Sequence, residues 1–100
     1  MKTIHLTKDG FESRIAKIDE ITSGWQYRGE RPALIDFFAS WCGPCLRLSP
    51  IIDEVAKQYE GRVDVYKVNV DEEPELADAF NIRSIPTLYF IPLNGKPKMT

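Results

Sequence analysis

One hundred residues, 43% of them hydrophobic and 28% charged, describe one globular domain with room for a single core and exclude a disordered chain. A formal net charge of −2 leaves no basic footprint for nucleic acid, and no apolar run approaches the roughly 20 residues a membrane-spanning helix requires. The opening Met1-Lys-Thr-Ile-His-Leu-Thr-Lys8 lacks the apolar centre of a signal peptide, so the expected compartment is a reducing cytoplasm.

Thr3-Ile-His-Leu6 alternates as a short edge strand, with His5 on its surface and no second chemical group beside it. Phe11, Ile15 and Ile18, with Ala16 and Ile21 beside them, recur at helical spacing, and Asp9 is positioned to cap the helix. Residues 22–32 carry Gly24, Gly29 and Pro32 and read as a loop, whose Trp25 and Tyr27 either pack down on the body, the favoured reading for aromatics in a loop, or offer a contact surface. Ala33 to Ala39 is nearly continuously apolar, as expected of a central strand buried on both faces. Asp36 interrupts it. A carboxylate there needs a fixed hydrogen bond, a paired charge or a reason to be protonated.

The only two cysteines follow in Trp41-Cys-Gly-Pro-Cys45, between that strand and a new amphipathic stretch. A Cys-x-x-Cys pair at a strand-to-helix junction reads as a thiol–disulfide exchange site. The spacing puts both sulfurs on the first helical turn, close enough to join with little backbone movement. Cys42, at the start, meets unpaired backbone N–H groups and the positive end of the helix dipole, both of which favour thiolate. Cys45 lies one turn inside and is shielded, so one sulfur attacks and the other resolves. Structural zinc takes four protein ligands, and two cysteines with a remote His5 do not supply them within one chain. A metal shared between two chains, a purely structural disulfide and two inert thiols remain the alternatives to exchange.

Leu48, Ile52, Val55 and Tyr59, with Ile51 and Ala56, mark a long amphipathic helix that Pro50 should kink. Val63 to Val70 alternates as another interior strand, and Pro74 to Phe80 reads as a short helix capped by Asp71. Ile85-Pro86-Thr87 leads into Leu88-Tyr-Phe-Ile91, a buried strand. Asn94-Gly95 then signals a type I′ hairpin that returns residues 96–100 as a last, incomplete strand. Strands alternating with helices give an α/β class with helices on both sides of a mixed sheet.

Trp41-Cys-Gly-Pro-Cys45 resembles the active site of the thioredoxin family. Ile4-His-Leu-Thr7, Ala33–Ala39, Asp53-Glu-Val-Ala56, Lys67-Val-Asn-Val-Asp71 and Ile82-Arg-Ser-Ile-Pro-Thr87 resemble thioredoxin segments in thioredoxin order, and together span most of the chain from Ile4 to Gly95. The resemblance implies one thioredoxin-like domain over residues 1–100, a central mixed sheet flanked by helices, with residues 22–32 as an inserted loop. It implies a protein disulfide reductase whose only cofactor is the redox-active Cys42–Cys45 disulfide, with no metal. Asp36 would transfer protons beneath the resolving cysteine, with Lys67 near it. Pro86 would be cis and face the cysteines, exposing the Ile85 backbone to an extended substrate. Trp41, Gly43, Pro44, Val70, Ile85 and Pro86 would form the substrate groove.

The resemblance also implies partners: protein disulfides as substrates and a flavin-dependent thioredoxin reductase as electron donor. Gly43-Pro44 adds no positive charge between the cysteines, so the dithiol should be reducing, which ranks isomerase or oxidase activity second. Two departures stand out. Leu46 occupies a position often held by lysine, and the chain stops where the family completes its last strand and adds a helix over one sheet face. A C-terminally shortened fold would leave apolar sheet surface open, to be covered in a homodimer, or to serve a non-catalytic binding module.

Overall fold

The apolar stretch from Ala33 becomes the middle strand of a five-stranded sheet in the computed structural model, which describes residues 3–100. Met1 and Lys2, part of the leader reading above, lie outside the described residues. The elements in chain order are β1 (Ile4–His5), α1 (Lys8–Arg14), a 3₁₀ turn (Ile18–Glu20), β2 (Ala33–Phe38), α2 (Gly43–Gln58), β3 (Asp64–Asn69), α3 (Pro74–Ala79), β4 (Thr87–Ile91) and β5 (Lys98–Met99). The sheet order is β1-β3-β2-β4-β5. β1 and β2 run parallel to β3, and β4 runs antiparallel to β2 and β5, so the sheet is mixed.

Alternation along the two central strands divides the side chains between two cores. Ala33, Ile35 and Phe37 of β2 join Tyr66 and Val68 of β3 against Phe11, Ile15, Leu76 and Phe80. On the other face Leu34, Val65 and Leu88 meet Leu48, Ile52 and Ala56 of α2. The first core is aromatic at its centre: Phe80 meets Phe11 edge-on at 5.6 Å between ring centres and Phe37 at 5.3 Å.

Several local expectations are corrected. Thr7, not Asp9, caps α1: its hydroxyl accepts the Gly10 N–H at 3.1 Å. The helix ends at Arg14 because Glu12 reaches forward and accepts the Ile18 N–H at 3.0 Å, after an extended Lys17. Ile18 and Ile21 still pack on the core, but from a 3₁₀ turn. Residues 22–32 contain neither helix nor strand. Trp25 and Tyr27 lie against the core from this segment, and the Tyr27 hydroxyl donates to the Arg31 carbonyl at 2.5 Å. The Tyr27 ring occupies the space a Cβ at Gly29 would need, which explains a glycine there.

Asp71 does not cap α3. Glu73 holds that position with no side-chain cap, while Asn69 Oδ1 accepts the Asp71 N–H at 2.9 Å and turns the chain into the helix. α3 closes with Asn81 at φ 55°, its N–H bonded to the Asp78 carbonyl and that of Ile82 to the Ala77 carbonyl, the paired pattern of a Schellman cap. β4 is half-buried rather than buried: only Ile91 is fully enclosed, and Phe90 is exposed. The β4–β5 return is a hairpin, but residues 92–97 separate its strands and only Gly95 has positive φ, so it is no two-residue type I′ turn.

Candidate active site

The cysteines sit where β2 hands over to α2. Cys42 has extended backbone and is the N-cap of α2, with Pro44 in the first turn, where its missing N–H costs nothing. Its Sγ accepts the Cys45 N–H at 3.2 Å. The two cysteines are joined in a disulfide with their Cα atoms 5.2 Å apart, and both are buried, with Cys45 4% exposed. Thus Cys42 is shielded too in the oxidised state, which spacing alone did not indicate. α2 continues through Pro50 to Gln58 as one helix.

A second segment comes up against the pair. The Ile85–Pro86 bond is cis, and the Ile85 carbonyl lies 3.9 Å from Cys42 Sγ. Ile85 and Val70 pack with Phe38 and Ala39 against the two cysteines. Trp41 does not join them. It is 69% exposed, and its indole N–H donates to Asp71 Oδ2 at 2.7 Å. That bond ties the motif to the loop after β3 and accounts for the Asp71 carboxylate being turned away from α3. Leu46, on the outer side of the first turn, is 59% exposed and adds apolar surface beside the disulfide.

Beneath α2, Asp36 and Lys67 are register partners on β2 and β3. Asp36 is 2% exposed, and its Oδ1 has no hydrogen-bond partner. Burial pushes its carboxyl above the usual carboxylate range; the Lys67 charge lowers it by less, and Asp53 raises it further. Lys67 does not reach across to pair with it. Its ammonium donates to Ser49 Oγ at 2.6 Å, stands 3.9 Å from Asp53 and lies over the Phe38 ring at 5.6 Å. Ser49 and Asp53 were not singled out from the sequence. Their signal was spacing: they follow Cys45 by four and eight residues, so the three share one side of α2.

His5 sits exposed on the edge strand, its ring edge-on to Phe38 at 5.9 Å. Among the described residues no group of three or more histidine, cysteine or acidic side chains could hold a metal ion, and no helix is long and apolar enough to cross a membrane.

Comparison with known proteins agrees with this geometry. The family model described as Thioredoxin matches residues 2–100. A thioredoxin of Borreliella burgdorferi is 44% identical over 99 residues, an alignment covering 97% of this chain and 82% of the relative. Thioredoxin 1 of Nostoc sp. is 58% identical over 57 residues, covering 57% of this chain and 53% of that protein. The chloroplastic M-type thioredoxin of Spinacia oleracea is 49% identical over 79 residues, covering 76% of this chain and 43% of the relative. Among solved structures, chloroplastic thioredoxin z superposes with a TM-score of 0.77 at 32% identity, covering all of this chain and 80% of that one. The chain belongs to the thioredoxin family and is a protein disulfide reductase, exchanging the Cys42–Cys45 dithiol for the disulfides of other proteins.

Proposed function

We propose that Cys42 is the attacking sulfur and Cys45 the resolving one, with Asp36 as proton acceptor for Cys45 and Lys67 as the charge that modulates it. The observation that carries this reading is the Cys45 N–H directed at Cys42 Sγ, 3.2 Å away, at the N-terminus of α2. Once the disulfide is reduced, that donor and the helix dipole favour a thiolate on Cys42 rather than on Cys45.

The Cys42 thiolate attacks one sulfur of a substrate disulfide. A Cys42–substrate bond forms, the substrate S–S bond breaks, and the leaving substrate thiolate takes a proton from water. Cys45 then passes its proton to the Asp36 carboxylate and attacks Cys42 Sγ. The Cys42–Cys45 bond forms, the mixed disulfide breaks, and the second substrate thiolate leaves. Two electrons have moved from this chain to the substrate. Ile85, at the cis bond beside Cys42, offers its backbone to an extended substrate segment, and Val70 contributes an apolar wall. Trp41, with Gly43 and Pro44 next to it, forms the outer rim.

A flavin-dependent thioredoxin reductase returns the two electrons in a cytoplasmic setting, in keeping with the neutral Gly43-Pro44 pair that leaves the dithiol reducing. The test is a pair of single substitutions incubated with a protein disulfide. Cys45→Ser accumulates a covalent mixed disulfide on Cys42, visible by non-reducing gel and mass spectrometry, and Cys42→Ser does not. Accumulation on Cys45 in the Cys42→Ser protein would reverse the assignment.

A further inference from the structure

Two charged groups of opposite sign, Asp36 and Lys67, lie side by side in register on adjacent strands, both buried, and yet do not pair. The ammonium has been taken elsewhere. Ser49, on the side of α2 that carries Cys45, accepts it at 2.6 Å, closer than the Asp53 carboxylate at 3.9 Å, while Asp36 Oδ1 is left with no partner.

We infer that Ser49 is a positioning residue for the reaction: by holding Lys67, it keeps the cation off the Asp36 carboxyl and so sets the pH at which that carboxyl exchanges its proton.

The physical argument is competition for a single buried cation. A lysine side chain has four rotatable carbons and a compact charge, so it can be directed to either neighbour. A neutral hydroxyl that satisfies it adds no opposing charge to the site, whereas a direct Asp36–Lys67 pair would stabilise the carboxylate and lower its proton affinity. The charged and titratable groups around Asp36 are few. β3 contributes Lys67, α2 contributes the Asp53 charge together with the Ser49 hydroxyl at Lys67, and β4 contributes Leu88, its uncharged register partner; Cys45, at the head of α2, is held in the disulfide and does not titrate in the oxidised protein. Removing the hydroxyl leaves Lys67 between the Asp53 carboxylate, 3.9 Å away but exposed and screened by water, and the buried, unpaired Asp36 carboxyl, and the second becomes the better partner. The inference rests on the reading of Asp36 as proton acceptor for its catalytic meaning, but its geometry stands without it.

The experiment titrates Asp36 itself in the oxidised protein, where neither cysteine ionises, by following its side-chain carboxyl ¹³C shift against pH. Ser49→Ala is expected to move the Asp36 midpoint to lower pH, and Ser49→Thr, which keeps a hydroxyl, to leave it at the wild-type value. In a Lys67→Met background Ser49→Ala should cause no further shift, because the serine acts only through the lysine. An unchanged or raised midpoint in Ser49→Ala, or a shift that persists without Lys67, would overturn the inference. A separate measurement, the rate at which a Cys42–substrate mixed disulfide is resolved in Asp36→Asn, addresses the proton-acceptor reading. A wild-type rate there would refute that reading without touching the carboxyl titration.

Discussion

Replacing Asp36 with asparagine removes a buried charge while keeping the shape of the side chain, and it should make the protein more stable. In the folded chain the carboxyl is 2% exposed, one of its oxygens has no hydrogen-bond partner, and its proton affinity is raised chiefly by burial. The sign follows from linkage. Between the unfolded and the raised folded pKa, the native state holds a proton that the unfolded state has released, so stability falls as pH rises through that window. The contribution of Asp36 is therefore fully present below the unfolded pKa and lost as pH rises through the raised folded one, with a slope that cannot exceed about 1.4 kcal/mol per pH unit for one proton. Asparagine cannot titrate, so the variant should lack this slope.

For an unpaired buried polar group carrying charge, relief of about 1–3 kcal/mol is the expected scale. In a domain of this size that corresponds to a rise of about 5–15 °C in Tm. Urea unfolding of the oxidised protein, with the disulfide intact, across a pH series that starts near the ordinary carboxylate range of about pH 4 and runs into alkali reads both quantities. Wild type should lose stability relative to Asp36→Asn as the pH rises through the titration of the folded carboxyl, and the gap should be widest above it. If the variant is less stable above that titration, or shows the same pH dependence as wild type across the series, the carboxyl is not held unpaired in a desolvated site and the argument fails.

Phe11→Ala should cost about 3–5 kcal/mol in the same urea assay, because Phe11 is fully buried and meets Phe80 edge-on at the centre of the larger core. Thr7→Ala removes the hydroxyl that accepts the Gly10 N–H and should cost about 0.5–2 kcal/mol, whereas an Asp9→Ala change, at the position sequence alone favoured as the cap, should cost less. Equal losses at the two positions would mean that the cap geometry is not as described.

Much of this architecture could be read from the chain because its signals are local. The apolar run from Ala33, the helical period after Cys45 and the alternation from Val63 placed β2, α2 and β3, each within a residue or two of its observed limits. The Cys-x-x-Cys spacing at the head of a helix pointed to a disulfide-forming pair, since one helical turn brings the two Cα atoms to 5.2 Å from each other. What the sequence left open was decided by groups competing for the same hydrogen-bond or charge partner, some of them far apart in the chain. Asp71 has the chemistry of a cap, but the Trp41 indole, 30 residues away, claims its carboxylate. The first helix has apolar spacing enough to run on past Arg14, but the Glu12 side chain takes the Ile18 N–H and stops it. Lys67 and Asp36 look like a pair in any alignment of charges, and only the packing of α2 over the sheet shows Ser49 standing where the ammonium goes. Hydrophobic periodicity is a property of each segment by itself, and so it is written in the sequence; the choice among several competent hydrogen-bond partners is a property of the assembled fold, and it is made only when the segments meet.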